Sequence, residues 1–343
     1  MDEKTPLLEI KDLKTYFYLD EGIVKAVEGA DLMVSRQSTV GIVGESGCGK
    51  TVTAYSVLQL VERPGRIEAG QILWHREIQE GIEDLVDLVS LKPNSRTMRA
   101  IRGGEIAMIF QEPLSSLSPV HTVGDQITEA IRLHRPVDHA EARKQAIEML
   151  HRVGIPKPEQ RIDAYPFQLS GGMRQRAMIA LALSCYPKLL IADEPTTALD
   201  VTTQAQILEL MLELQKDFAM SILLITHNLG VVAETCDQVA VMYLGEMVEQ
   251  ADTISLFNDP KHPYTQALLR SIPKLGQRNL GRLDPIRGMV PDPYNRPSGC
   301  AFHPRCPQRI PGVCDQQHPS LNQLHATGTN GTTRTVRCLL YGE

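Results

Sequence analysis

Three short apolar runs stand out along the chain: Thr39 to Val43, Leu189 to Ala192 and Ile222 to Ile225. None alternates with polar residues, which predicts strands of a parallel sheet covered on both faces. Between the last two, Ile207, Leu210, Met211 and Leu214 recur at helical spacing in ALDVTTQAQILELMLELQ. A strand, helix, strand unit follows, and with it an α/β domain. The opening segment, Leu7 to Val34, alternates more and predicts antiparallel strands, while residues from about 112 to 186 read as mainly helical. The stretch from His75 to Leu91 reads as an acidic surface excursion without an assignable role.

Composition adds a boundary. From Pro263 onward there are ten prolines in 81 residues against twelve in the preceding 262, and ten basic against four acidic residues. The tail therefore carries +6 and the body −12 of the net −6. We expect a packed domain over 1–262 and, over 263–343, a small loop-rich extension that apolar burial alone would hold poorly. The acidic balance, with a pI near 6.0, argues against a protein that coats nucleic acid. No stretch approaches the roughly 18–20 apolar residues of a membrane span, and MDEKTPLLEIKD does not read as a secretory leader. A soluble, cytoplasmic-side protein is expected.

The first chemical motif is Gly44-Glu45-Ser46-Gly47-Cys48-Gly49-Lys50-Thr51, a GxxxxGK[ST] phosphate loop between the strand TVGIV and the apolar stretch TVTAYSVLQL. Its glycines let successive N–H groups face phosphate, Lys50 reaches the β/γ-phosphates, and the Thr51 hydroxyl ligates Mg²⁺. Cys48 reads as a backbone donor rather than a redox thiol. In LLIADE, Asp193 and Glu194 end a buried strand, where the first can hold Mg²⁺ and the second can polarise an attacking water.

Between these two motifs lies Leu169-Ser170-Gly171-Gly172-Met173-Arg174-Gln175-Arg176. With this LSGG tetrad the chain resembles an ABC-type ATPase subunit. Gln111 in IFQEP resembles that family's Q-loop, Ala198-Leu199-Asp200 its D-loop, and His227 in ITHN its switch histidine. Met173 departs from the Gln that many members carry there. The resemblance implies a P-loop ABC-type ATPase fold: a parallel-sheet core, an antiparallel β subdomain and a helical subdomain over about 112–186. It implies head-to-tail dimers in which Ser170, Gly171, Gly172 and Met173 serve the partner's ATP. It also implies Glu194 as general base, His227 at the γ-phosphate, Gln111 with Thr51 and Asp193 on Mg²⁺, and Asp200 in the D-loop. An aromatic residue stacks on adenine in this family; among Tyr16, Phe17 and Tyr18, Phe17 is favoured, with strand packing as the competing role. Cys185 and Cys236 read as small buried hydrophobes.

Four of the seven cysteines, Cys300, Cys306, Cys314 and Cys338, fall in the last 44 residues. Four thiolates suit a tetrahedral zinc or a cubane iron–sulfur cluster, although the gaps fit no zinc ribbon. Disulfides are disfavoured in a cytosolic chain, and four unligated cysteines are the plain alternative. Arg305, Arg309 and Arg337 are expected to keep the thiolates deprotonated, while His303, His318 and His325 are not assigned as ligands. This tail, with HPYT at 262–265, resembles the C-terminal extension of oligopeptide and dipeptide permease ATPase subunits, some of which hold a four-iron, four-sulfur cluster.

The resemblance implies import of peptides, or of a related solute such as a nickel complex or an oligosaccharide. It also implies a second ATPase subunit in a heterodimer, two membrane permease subunits, an extracytoplasmic binding protein, and a place on the cytoplasmic face of the cell membrane. A non-transport ABC ATPase and an ATPase gated by an iron–sulfur redox sensor are the alternatives.

Overall fold

The computed structural model describes residues 5–79, 82–111, 116–197, 199–271, 286–324 and 334–342. They fall into two compact units. One holds Ser90–Ile225 with Ser35–Ser38; the other holds Pro6–Val34, Thr39–Val89 and the chain from Thr226 onward. The composition break at 262 thus falls inside the second unit, because the tail packs on the strands that precede it.

In the first unit three strands, Ile106–Ile109, Leu189–Asp193 and Ser221–Ile225, pair in parallel. Every residue of the three is buried, which is why none of them alternates. The helix Val201–Phe218 connects the last two and buries Ile207, Leu210, Met211 and Leu214. The expected helical region contains Val123–His134, His139–Arg152, Pro158–Arg161 and Gly171–Leu183. The start of that region, 112–115, and Ala198 lie outside the described residues.

In the second unit, Thr39–Val43 pairs in parallel with Gln238–Tyr243, which pairs antiparallel with Glu246–Asp252. The tail then extends this ladder with Arg334–Val336 and Asn322–Leu324, both antiparallel. A separate four-stranded sheet has the order Gly22–Ser35, Pro6–Leu19, Gly65–Gln79, Ile82–Asp87. The acidic stretch at 75–91, expected only as a surface excursion, is part of this sheet. It carries the end of one strand and all of the edge strand, with His75 opposite Leu85 and Trp74 opposite Val86. Among the described residues no helix is long and apolar enough to cross a membrane.

Candidate nucleotide site and C-terminal extension

In the second unit the phosphate loop leaves Val43 and turns into the helix Lys50–Val57. Gly47 has φ 77° and Gly49, the N-cap, φ 104°, conformations that favour glycine. A Cβ at Gly47 would meet nothing within 4 Å, whereas one at Gly49 would strike the Ala26 carbonyl. The loop is therefore packed at its helix end and open where phosphates would enter. Lys50 is buried, and its Nζ donates to the carbonyls of Gly44 at 2.9 Å and Glu45 at 3.0 Å. Thr51 is half-buried in the first turn, and Ser46 is exposed. The Cys48 thiol is buried and pushed above its ordinary pKa by that burial, in keeping with a backbone role.

Glu45 behaves differently from the rest of the loop. Its N–H donates to the Tyr264 hydroxyl at 2.9 Å, and its carboxylate receives both terminal nitrogens of Arg305, at 2.7 and 3.0 Å. Assigned from the sequence to phosphate, it faces the C-terminal extension instead. Tyr264 and Arg305 are functional candidates in a role that the sequence does not give them, since Arg305 reads there as a counter-ion for the tail thiols. In the sequence, the HPYT motif that contains Tyr264 marks only the resemblance to the permease extension.

Of the three upstream aromatics, Tyr16 donates to both Glu28 oxygens at 3.0 Å, and Tyr18 donates to Glu68 at 2.9 Å. Phe17 faces the other way, sharing a strand face with Thr15, whose hydroxyl meets Ser56 of the helix after the loop at 2.9 Å. The Phe17 ring lies against Gly65. His227 is exposed on a turn anchored by Thr226 N–H to the Ile42 carbonyl, 3.2 Å, and closed by Asn228, whose side chain caps the helix Leu229–Thr235.

In the first unit, parallel strands deliver Gln111 and Asp193-Glu194 to the same carboxyl end, where α/β sheets bind ligands. Gln111 Nε2 donates to Glu194 Oε2 at 3.1 Å, and Thr197 donates to the same oxygen at 2.9 Å. Asp193 is fully buried. Glu194 has φ 46°, a left-handed conformation rare outside glycine, held by its N–H to the Ile225 carbonyl at 2.8 Å. Its carboxylate is thereby aimed by backbone strain and two donors.

Ser170 caps the helix Gly171–Leu183, accepting from Met173 N–H at 3.3 Å. Around Gly171 there is open space, while a Cβ on Gly172 would come 3.2 Å from Thr203. Asp200 caps the helix Val201–Phe218 and receives both the N–H and the hydroxyl of Thr203, at 3.0 and 2.7 Å. The two helix N-termini thus lie side by side. Buried Gln175 ties the first of them to the Pro195 carbonyl beside Glu194.

The four tail cysteines are all free, and every pair among them interacts electrostatically. Cys300 N–H also donates to the Cys314 carbonyl at 2.8 Å. Among the described residues no group of three or more His, Cys, Asp or Glu is arranged to hold a metal ion. Burial pushes the Cys300 thiol up to about 12 and Cys338 to about 11. The expectation that arginines would hold these thiols deprotonated is corrected. Arg305 is spent on Glu45, Arg337 on the Met247 and Gly29 carbonyls, and Arg309 is exposed. His303 meets the Cys300 carbonyl and His318 meets Glu246, while His325 lies outside the described residues. Cys236 is buried, and Cys185 is half-buried against the Ala130 carbonyl.

A family model described as ABC transporter matches residues 27–197, and one described as oligopeptide/dipeptide transporter, C-terminal region, matches residues 248–314. The oligopeptide transport ATP-binding protein AppD of Bacillus subtilis is 51% identical over 98% of this chain and 97% of its own length. The dipeptide transport ATP-binding protein DppD of Haemophilus influenzae is 46% identical over 97% of this chain and 94% of its own. Among solved structures, the dimeric bacterial ABC transporter cassette MJ0796 matches with a TM-score of 0.61 and 25% identity, over 72% of this chain and 99% of that one. The chain belongs to the ABC transporter family, as an ATPase subunit of its oligopeptide/dipeptide permease branch.

Proposed function

We propose that this chain powers the import of oligopeptides or dipeptides through separate membrane permease subunits by binding and hydrolysing ATP. The observation that carries the ATPase chemistry is the open, glycine-turned loop 44–51 feeding a helix N-terminus with a buried lysine at its mouth. The peptide substrate rests on the matched C-terminal region and on the printed names of the relatives. Glu45 excepted, each residue keeps the role its motif implies. N–H groups of Gly44 and of Ser46 to Thr51 receive the phosphates, and Lys50 exchanges the Gly44 and Glu45 carbonyls for phosphate oxygens. Thr51, Gln111 and Asp193 hold Mg²⁺, Phe17 meets adenine, and His227 contacts the γ-phosphate. Glu194, oriented by Gln111 and Thr197, polarises the attacking water.

Ser170, Gly171, Gly172 and Met173 serve the nucleotide of a second ATPase subunit, next to Asp200. The open space at Gly171 and the aligned helix N-terminus suit an anion there. The partners are then a second, different ATPase subunit, two membrane subunits and an extracytoplasmic binding protein, with this chain on the cytoplasmic face. Glu194→Gln is expected to lower turnover by about a hundredfold or more while an ATP-bound closed dimer accumulates. Wild-type turnover in that variant would refute the assignment.

In the extension, Cys300, Cys306, Cys314 and Cys338 would hold a four-iron, four-sulfur cluster, with zinc as the alternative. The support is the donor set itself, four buried or half-buried thiols in mutual electrostatic reach. Bound there, a cluster would supply a cross-link between the loop at 300–314 and the chain at 338, with one-electron chemistry available. Iron, zinc and acid-labile sulfide on anaerobically purified protein decide it: about four iron and four sulfide per chain supports the cluster. About one zinc without sulfide makes the extension a structural clip, and no metal removes the proposal.

A further inference from the structure

Within the phosphate loop, Glu45 has its N–H, its carbonyl and its carboxylate all engaged. The Glu45 N–H goes to Tyr264, its carbonyl receives Lys50 Nζ at 3.0 Å, and its carboxylate is held in a two-pronged pair by Arg305. Both outside partners come from the C-terminal extension. Arg305, adjacent to Cys306, has a side chain only 4% exposed against 26% for Glu45. Its Nε donates to the Arg287 carbonyl at 3.2 Å and its guanidinium lies 5.8 Å from the Tyr243 ring. Phe302, from the same loop, packs edge-on against Tyr243 and Tyr264 at 5.2 and 5.4 Å. The Arg305 guanidinium is thus held on several sides by groups of the protein itself.

We propose that Arg305 is a positioning residue for ATP binding: it holds the Glu45 carboxylate turned away from Lys50 and from the incoming phosphates, so that the extension sets the electrostatics of the phosphate loop.

The physical reason is a competition for one cation. A carboxylate within the phosphate loop has the same charge as the ligand and lies one residue from the glycine whose carbonyl Lys50 already holds. Left unpaired, it would repel the phosphates and offer Lys50 Nζ a fixed anionic partner. A bidentate guanidinium–carboxylate pair removes both effects and fixes the side chain's direction. Arginine is required rather than lysine because the Glu45 carboxylate is met by two nitrogens at once.

The inference rests on the ATPase reading, and the test separates the two. MgADP affinity, with KM and kcat for MgATP, would be measured on the full-length chain for wild type, Arg305→Ala, Arg305→Lys and Arg305→Ala/Glu45→Gln. Arg305→Ala is expected to weaken MgADP and raise KM about tenfold with kcat at saturation little changed. Arg305→Lys is expected to lose about threefold, since it keeps the charge and loses the fork. The double variant is expected to return to within about twofold of wild type, because the charge that Arg305 restrains is gone. A merely structural brace would not be rescued in this way, so a double variant as weak as Arg305→Ala overturns the proposal. Unchanged affinity in Arg305→Ala overturns it too. Should Arg305→Ala fail to fold, Arg305→Gln with and without Glu45→Gln gives the same comparison. Failure of the wild-type chain to bind MgADP would sink the ATPase reading instead.

Discussion

At the scale of single residues, burial and hydrogen bonding decide what each titratable group does. His262 is the N-cap of the helix Pro263–Arg270, its Nδ1 accepting from Tyr264 N–H at 3.0 Å. Burial lowers its pKa from 6.5 to about 3. Around it, Glu249 accepts its backbone N–H at 2.8 Å, the Arg337 backbone faces the ring, and Phe302 lies 5.8 Å away. Below pH 6.5 the unfolded chain takes up a proton that the folded chain refuses. Stability is therefore fully present above about pH 6.5 and falls as pH drops toward about 3, by up to about 1.4 kcal/mol per pH unit. His262→Asn keeps a capping oxygen without the titration and should flatten the acid side of the stability profile in denaturant melts between about pH 7.5 and 4. An unchanged slope would place the acid sensitivity elsewhere. The phosphate-loop spacing points to Lys50 and the acidic pair at a strand end to Glu194, whereas Gln111 and His227 stand out only through the resemblance to ABC-type ATPases. Neither route could point to Arg305, because a guanidinium beside a cysteine reads equally well as its counter-ion, and only packing shows that a glutamate 260 residues away takes it.

Elements were legible where one physical rule dominated. Strands buried on both faces announce themselves by unbroken apolar runs, and Ser170 and Asp200 precede helices as good capping residues should. The hairpin that includes 75–91 was not legible. Its edge strand, IEDLVD, is half acidic in sequence, and Leu85 is 56% exposed, so local hydrophilicity hid a paired strand. Capping also allows the two duties of Ser170 to be separated. Ser170→Ala should destabilise by about 1 kcal/mol through the lost cap and weaken dimer-dependent turnover. Ser170→Asp keeps the cap, and by dipole reasoning the stability, yet places a carboxylate where the proposed partner phosphate would bind. Its thermal midpoint should match or exceed wild type while ATP turnover collapses. If turnover instead follows stability in both variants, the serine is a cap and nothing more.

Over the whole molecule, the opposed charges of body and tail become a set of buried pairs. Strand Glu246–Asp252 carries two buried glutamates, and each meets a tail arginine. Arg296 pairs with Glu246, which also meets His318, and Arg334 reaches Glu249 at 2.7 Å. The same Glu249 carboxylate accepts the N–H groups of Lys261 and His262, each at 2.8 Å. Charge and backbone hydrogen bonds thus help to seat a loop-rich segment beside its aromatic contacts, a solution composition could suggest only as an imbalance of sign. Buried pairs of this kind add little over an apolar contact, but breaking one strands a charge in low dielectric. Arg334→Met should therefore destabilise by about 3–5 kcal/mol, tempered by the two backbone donors that remain on Glu249. Adding Glu249→Gln removes the stranded charge while keeping an acceptor for those donors, and should recover more than half of the loss. Since both groups are shielded from solvent, about 1 M salt should leave the Arg334→Met loss nearly unchanged. Denaturant unfolding of the three proteins at low and high salt tests this. A loss under about 1 kcal/mol, or one that salt erases, would mean that the pair behaves as a surface bridge and that the tail is seated by its aromatic contacts instead.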